Sequence, residues 1–562
     1  MKAGKHFFIL LITLVAIVAT TFGNVPVEVQ TATSGTGVVV SGHPEATQTG
    51  IEILEQGGNA IDASIAVSLA LSVAEPYGSG LGGKLMLLYY EAETGKTWVI
   101  DAMDAAPLSL DVEKARSLSW QERRFGWNSV CIPGLPAGLD LAYRKWASKP
   151  WKALVSPSIK LAREGFNIEP KTFTLFEERL NRIQNNPELA KIYLPDGAIP
   201  EAGSKLKCPD LANTMEIISN EGIRSIYEGT IAQALVAEAQ ANGVSFSIED
   251  LGHYEARLTT PVCLNLAGYE IQTSPPPTTG AAMAFPVMKL VEPLLDTSIP
   301  QRSPENLSLI ANVWKQVKPQ IYKTIGDQND ARQAFEALLS NEFLEPIRDA
   351  LLTDLPQGTT PELEDRNGST THFVVVDRMG NMVSCTQSLS LHFGSGIVVP
   401  GTGIILNDTM SNFDFTHPEN PNAVEGGKRP RSTISPTIIL ENGKPKIAIG
   451  LPGGSRIPTA MLQVILDRLL WNRPLDQAIG DIRYHIDPAT RLTDHDTFES
   501  ESGVSDEIAS FFPTVGWEYL DYEPAGTGLH FGGFTAIEVM DDGSFIGFAD
   551  PRRTNVAKGA KP

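Results

Sequence analysis

The sequence predicts an α/β fold in which antiparallel strand pairs are covered by helices. Three observations predict it. β-rich runs separated by short turns stand near both ends of the chain, a long middle stretch has a helical pattern, and one early helix is apolar nearly all round. At 562 residues and 42% hydrophobic content, the chain is long enough for several ordinary domains or for one large two-layered fold.

Taken in order, the chain starts with Met-Lys-Ala-Gly-Lys-His, the apolar run "FFILLITLVAIVATTF" and the more polar "GNVPVEVQ". This charged, apolar, cleavable order predicts an export signal over residues 1–23 and a secreted or periplasmic protein. The apolar run is only somewhat shorter than the roughly 20 residues of a spanning helix, so an uncleaved membrane anchor is the alternative. Next, "GVVVSGHPEATQTGIEILEQGGNAIDASIAVSLALSV" predicts a strand, a turn and two helices. The second helix has Asn59 as its N-cap and Asp62 three residues on. From Ala60 to Ala74 it has no polar face and belongs inside the protein. Residues Leu85 to Asp101 predict a hairpin with Thr-Gly at the turn.

From about Trp120 to Leu355 the pattern is mostly helical, with breaks at Gly165, Pro195, Gly203 and Gly222. "SPPPTTGAAMAF" interrupts it with an extended proline run that hands over to a helix at Thr278, Thr279 and Gly280. Residues Leu351 to Asn367 lose the apolar period and predict an exposed segment. Beyond them the chain turns strand-rich: "THFVVVD", "MVSCTQSLS", "GIIL", "STISPTIIL" and "KIAIG". A helix is expected over Thr459 to Leu470, followed by a closing strand pair in "FGGFTAIEVMDDGSFIGFAD".

The net charge of −21 repels phosphate backbones and excludes nucleic acid as a natural partner. Cys131, Cys208, Cys263 and Cys385 lie far apart with no clustered histidines, which argues against a metal site. Disulfides and buried free thiols both remain open. No cofactor is expected.

At Thr370 a polar segment gives way to a strand. A threonine hydroxyl is a weak nucleophile unless a base stands beside it, and a chain-terminal threonine carries its own in the α-amine. An α-amine ordinarily titrates at about 7.7–8.0, so it is poised near neutrality without any histidine. Such chemistry requires the Ser369–Thr370 bond to be cut. An ordinary solvated turn leading into a strand would look the same locally.

The run "TTHFVVVDRMGN" is accompanied downstream by "FGSGIVVPGTGIILND", "KRPRSTISPTIIL", "GLPGGSRI" and "GFADPRR". Upstream stand "ILEQGGNAIDASIAV", "CIPGLPAGLDLA", "LAREGF" and "PPPTTG". In this fixed order, from Gly37 to Arg552, the chain resembles the γ-glutamyltranspeptidase family. The resemblance implies an αββα sandwich of the N-terminal-nucleophile hydrolase type. It also implies one precursor cut into a large chain, residues 24–369, and a small chain, residues 370–562. Thr370 matches the nucleophile and new terminus, and Ser369 would end the large chain. Gly453 and Gly454 match the oxyanion pair, and Ser388 matches a threonine that supports the nucleophile. Ser432 and Thr433 match the hydroxyl pair that holds the substrate carboxylate, with Ser390 carried over as a further substrate contact. The implied substrate is a small-molecule amide, and the implied acyl acceptor is water or an amine. His372 is expected to be structural.

Two positions depart from the family pattern. Met103, in "IDAMDAAP", stands where the family has the arginine that meets the α-carboxylate. Asn412, in "MSNF", stands where it has the aspartate that meets the α-amine. A charge-assisted hydrogen bond contributes about 1.5–3 kcal/mol, so losing both predicts weak binding of a γ-glutamyl head group. The family also holds acylases that remove glutaryl-type side chains from cephalosporins, which makes a γ-glutamyl-like or dicarboxylic monoamide the expected substrate. Arg431 is the candidate replacement for the missing cation, with a solvent-facing arginine as the alternative. The short segment Phe413 to Gly427 predicts an open cleft that favours hydrolysis over transfer. Lys84 is either a surface residue at a strand start or a residue of the cleft. The competing readings are a true glutathione-using transpeptidase and an unprocessed scaffold.

Overall fold

The computed structural model describes residues 27–351, 368–489, 495–524 and 529–562. The expected export signal and, save Leu351, the expected exposed segment lie outside the described residues.

Two seven-stranded sheets form the centre. In the first the order is Val556–Gly559, Gly37–Ser41, Gly368–Asp377, Met382–Leu391, Lys84–Glu91, Lys96–Ala102 and Arg257–Thr259. The second runs Gln30–Ser34, Phe545–Ala549, Thr535–Val539, Lys444–Gly450, Thr437–Glu441, Tyr269–Thr273 and Val262–Leu266. All pairings within these two sheets are antiparallel.

Successive strand residues point to opposite faces, and here both faces are dry. Val39, Leu85, Leu87, Phe373 and Val375 pack with the helices Pro44–Glu55, Ala60–Ala74 and Leu135–Trp146. Their neighbours Val38, Met86, Leu88, Val374 and Val376 pack toward Ile438, Ile447 and Ile537 of the second sheet. That same core continues into the helices Gly280–Val291, Pro304–Thr324 and Ile457–Leu469. The layering is therefore helix, sheet, sheet, helix, as the αββα expectation requires. Burial on both faces is why "FVVV" reads as an unbroken apolar run.

Every residue of Ala60–Ala74 is buried, and Asn59 and Asp62 close a reciprocal capping box at its start. The expected hairpin pairs Glu91 with Lys96 at its turn. The middle stretch needs correction: besides its helices it supplies the strands Arg257–Thr259, Val262–Leu266 and Tyr269–Thr273. In Val262–Leu266 buried and exposed positions alternate, a period of two that betrays a strand, and the turn at Ala267-Gly268 has positive φ at both residues. "GIIL" is not a strand but a loop held by the isolated bridges Gly82↔Leu406 and Val398↔Ile405. A three-stranded sheet of Tyr484–Asp487, Asp496–Ser502 and Trp517–Pro524 has no counterpart in the sequence reading.

The segments before and after Ser369 do not form separate bodies. Strand Gly37–Ser41 lies between Val556–Gly559 and Gly368–Asp377, and Tyr269–Thr273 pairs with Thr437–Glu441. Both sheets are thus shared between the two segments. The four cysteines are all free thiols, Cys263 exposed and the others buried. No described helix is long and apolar enough to cross a membrane.

Candidate active site

Ser369 and Thr370 are consecutive residues of the strand Gly368–Asp377. The ladder to Met382–Leu391 is broken there: Ser369 pairs with Ser390, Thr371 pairs with Gln387, and Thr370 is left unpaired at the irregularity. A bulge re-aims one side chain out of the pleat while its neighbours stay in register. It turns Thr370 into the cleft, while Ser369 and Thr371 remain buried.

The hydroxyls around this bond form a chain. Thr370 Oγ1 lies 2.6 Å from Ser369 O and 3.1 Å from Ser388 Oγ. Ser388 Oγ accepts from the Ser390 N–H at 2.9 Å and donates to Ser369 O. Ser390 has φ of +84°, a left-handed conformation that a non-glycine residue holds only when its surroundings impose it. Here that conformation aims the Ser390 N–H at Ser388. Gly83 permits the close approach of the next strand, since a Cβ there would stand 2.3 Å from Ser388 O.

Lys84 pairs directly with Ser388 across the two strands, so the two side chains share a face. That settles the question of Lys84: it is buried and lines the cleft. Its Nζ donates to Thr409 Oγ1 at 3.1 Å and stands 3.8 Å from Asp104 Oδ2. Burial pushes the ammonium below its ordinary value, against the attraction of Asp104 and Asp408. Burial likewise raises Asp104 to about 7, against Lys84 and the Thr409 hydrogen bond.

The opposite wall comes from the stretch after Pro430. Asn412 Nδ2 donates to Arg431 O at 3.1 Å and reaches Ser390 Oγ at 3.4 Å. Arg431 lines the cleft with its guanidinium 4.7 Å over the Tyr322 ring and Nη1 donating to Tyr322 O at 2.7 Å. Ser432 O accepts from the Thr279 N–H at 2.7 Å. Thr433 Oγ1 donates to Gly454 O at 2.8 Å, tying the hydroxyl pair to the glycine turn.

That turn has φ of +155° at Gly453 and +57° at Gly454, and it opens through Gly454–Arg456 into the helix Ile457–Leu469. Strand Gly368–Asp377 packs against it. Gly454 lines the cleft, and the N-terminal end of a 13-residue helix behind it favours negative charge. The arrangement can place a hydroxyl nucleophile, polarise a carbonyl and receive a developing oxyanion.

The gamma-glutamyltranspeptidase family model matches residues 46–560. The chain belongs to this family. It is 30% identical over 553 residues to the glutathione hydrolase proenzyme of Bacillus subtilis strain 168, covering 93% of this chain and 91% of that one. The acylase ACY 1 proenzyme of Pseudomonas sp. strain SE83 is 29% identical over 534 residues, covering 93% of each. Among solved structures, cephalosporin acylase from Bacillus halodurans superposes with a TM-score of 0.84 at 26% identity, over 95% of this chain and 97% of that one. The fold is thus that of the N-terminal-nucleophile hydrolases, and the chain is an enzyme of a family that hydrolyses or transfers amide-bound acyl groups.

Within the gamma-glutamyltranspeptidase frame, the structure brings Thr370, Ser388, Ser390, Asn412, Arg431, Ser432, Thr433 and Gly454 to one cleft of about 130 Å³. Gly453 stands one residue behind the wall. Met103 is the departure. Expected at the substrate, it is instead fully buried in the core between the sheets, with its N–H held by Asp101 at 3.1 Å and its carbonyl accepting from the Tyr254 hydroxyl. A flexible thioether gains by filling such a gap, which a guanidinium could not do unpaired. His372 is buried and neutral: its Nδ1 meets Thr386 Oγ1 at 2.8 Å, and burial drives its pKa down to about 3. Sequence reasoning missed Thr279, Tyr322 and Arg124 as cleft residues. They arrive from distant segments and carry no local signal.

Proposed function

We propose that the chain is an exported, self-processing N-terminal-threonine amidohydrolase whose acyl substrate is a dicarboxylic monoamide lacking an α-ammonium. The observation that carries this reading is the charge of the cleft. Lys84, Arg124 and Arg431 line it, with no carboxylate among its described lining residues. A glutamyl group would bring an ammonium among these cations, whereas a glutaryl-type group brings only its carboxylate. The names of the relatives fit both sides of this choice, one a glutathione hydrolase and one an acylase.

Processing follows from the hydroxyl chain. Thr370 Oγ attacks the carbonyl carbon of Ser369, its proton passes to Ser388 Oγ, and the Ser388 proton is already directed at the carbonyl oxygen that becomes the oxyanion. The peptide C–N bond breaks as the carbonyl re-forms and its proton passes to the departing nitrogen, and water then hydrolyses the Ser369 ester, releasing the large chain from Thr370 Oγ and leaving the α-amine free. In the mature enzyme that amine takes the Thr370 hydroxyl proton while Oγ attacks the substrate amide. The N–H groups at Gly453 and Gly454 receive the oxyanion, and one such donor contributes about 2.7–4 kcal/mol. The amine leaves with the proton, and water or a second amine resolves the acyl-enzyme.

Two measurements test the reading. Denaturing electrophoresis with N-terminal sequencing should show two chains, the smaller starting at Thr370; an intact chain would remove the self-processing claim. Among glutaryl, succinyl and γ-glutamyl anilides, the glutaryl compound should have the highest kcat/KM, and Arg431→Ala should lower it. Preference for γ-glutamyl with efficient transfer to dipeptides would replace this reading with a glutathione-using transpeptidase.

A further inference from the structure

The buried helix Ala60–Ala74 ends in a turn, residues 75–79, which takes no part in the chemistry of the cleft. All five of its residues are buried, and the N–H groups of Gly78 and Ser79 fold back onto Glu75 O at 2.8 and 3.1 Å. The turn lies beneath the bulge. Ser369 Oγ donates to Tyr77 O, and the Phe393 N–H donates to the same carbonyl at 3.2 Å. The Leu389 N–H donates to Gly78 O at 3.2 Å, and a Cβ on Gly78 would stand 3.7 Å from Thr370 O. The residue before the nucleophile and the strand opposite it are both seated on this turn.

Glu75 extends that hold to the residue after the nucleophile. Its Oε1 accepts from the Tyr77 hydroxyl at 2.9 Å. Its Oε2 faces the Thr371 hydroxyl: a Cβ on Gly42 would stand 2.5 Å from the one and 2.6 Å from the other, so only a glycine there lets them meet. Burial pushes the Glu75 carboxyl up, against the Thr371 and Tyr77 hydroxyls and the charge of Arg553. Keeping a carboxyl group in such a place costs free energy. Yet neither Glu75 nor Tyr77 is among the described residues that line the cleft, so neither touches a substrate there. What they reach are the two residues that flank Thr370.

We propose that Glu75 is a positioning residue of self-processing, holding Tyr77 and Thr371 so that the backbone on both sides of Thr370 is fixed and its hydroxyl stays aimed at the Ser369 carbonyl. This rests on the reading of Ser369–Thr370 as the bond that is cut. Thr370 is left out of the strand pairing, so the ladder does not set its direction. Its neighbours do: Ser369 is tied to Tyr77 O, Thr371 faces Glu75, and the Tyr77 hydroxyl joins the two anchors. Glu75 transfers no proton and meets no reacting atom. It acts on the rate through alignment, where a displacement of about 1 Å can cost about 100-fold.

The test follows conversion of the intact chain into two chains on denaturing gels after a pulse of cell-free synthesis. Glu75→Leu, which keeps the bulk and removes the polar contacts, should slow the cut about 10- to 100-fold. Tyr77→Phe should slow it less. Glu75→Gln can accept from Tyr77 and donate to Thr371, and should restore most of the rate. A Glu75→Leu chain that is cut as fast as the unmodified one, or a Glu75→Gln chain slowed as much as Glu75→Leu, overturns the proposal. So does slowing that merely follows the unfolding midpoints of the same variants built into the uncut Thr370→Ala chain. Should Glu75→Leu fail to fold, Tyr77→Phe decides, and an unchanged rate in it defeats the proposal. Should the unmodified chain stay intact, the self-processing reading fails on its own, and hydrogen exchange in the strand Gly368–Asp377 still judges the clamp. Faster exchange in Glu75→Leu that Glu75→Gln reverses supports it, and equal exchange defeats it.

Discussion

Two parts of this molecule are rich in arginine, and they are built on opposite terms. Behind the glycine turn, Arg552 is wholly buried and grips Glu501 at both ends, 2.6 Å from Nε and 2.7 Å from Nη2. Arg483 donates to Asp550 Oδ2 at 2.8 Å beside it. Burial raises the Asp550 carboxyl, but Arg552 and Arg483 outweigh it and hold the group below the usual range. Around the cleft, Arg431 stands over the Tyr322 ring with Nη1 donating to Tyr322 O, and Arg124 stands over the Trp120 ring. The same side chain fixes the scaffold through carboxylates in one region and shapes a cavity wall through rings and carbonyls in the other.

The largest effect on this contrast comes from leaving both regions intact and removing the reacting hydroxyl. Thr370→Ala should give an uncut chain on a denaturing gel and a loss of turnover of about 10⁴-fold or more. Next, Arg552→Ala strands a buried carboxylate at Glu501 and should cost about 3–5 kcal/mol in denaturant unfolding. Acyl preference per folded molecule should stay as it was; a changed preference would mean the two regions are not independent. Lys84→Met should lower kcat/KM for the glutaryl anilide by about 10- to 150-fold, the equivalent of one charge-assisted bond. An equal loss on every acyl group would instead mark Lys84 as structural.

Acid is the mildest probe, because the arginine network does not titrate while buried histidines do. Burial lowers His372 to about 3 and His43 to about 4, from an ordinary 6.5. Between those values the unfolded chain binds protons that the folded one refuses, so stability from these groups is complete above about 6.5 and lost as pH falls. His372→Gln should flatten the acid limb of unfolding midpoints measured from pH 7 to 4. A limb as steep as in the unmodified chain would assign the slope elsewhere.

What the sequence could show depended on the range of the interaction. The cap at Asn59 and the buried helix after it are set by neighbours a few residues away, and both were legible. The strands between Arg257 and Thr273 were legible in principle from their alternation but were masked by the helical pattern around them. Lys84 could not be decided locally, because its direction is set by register with Ser388, some three hundred residues on. Met103 was expected at the substrate and lies in the core instead. Nothing in "IDAMDAAP" says that its side chain turns toward the second sheet. The bulge at Thr370 was likewise invisible, although the composition change beside it was not.

The sharing of both sheets by the segments before and after Ser369 has a consequence for how the mature enzyme persists. With the Ser369–Thr370 bond cut as proposed, the molecule would be held in a shape that neither piece encodes alone, and unfolding would turn a unimolecular collapse into a search between two partners. Regain of activity after denaturation should then depend on protein concentration for the cut enzyme, while the uncut Thr370→Ala chain should recover its compactness at any dilution. The cleavage that creates the nucleophile would also discard the route by which the fold was reached.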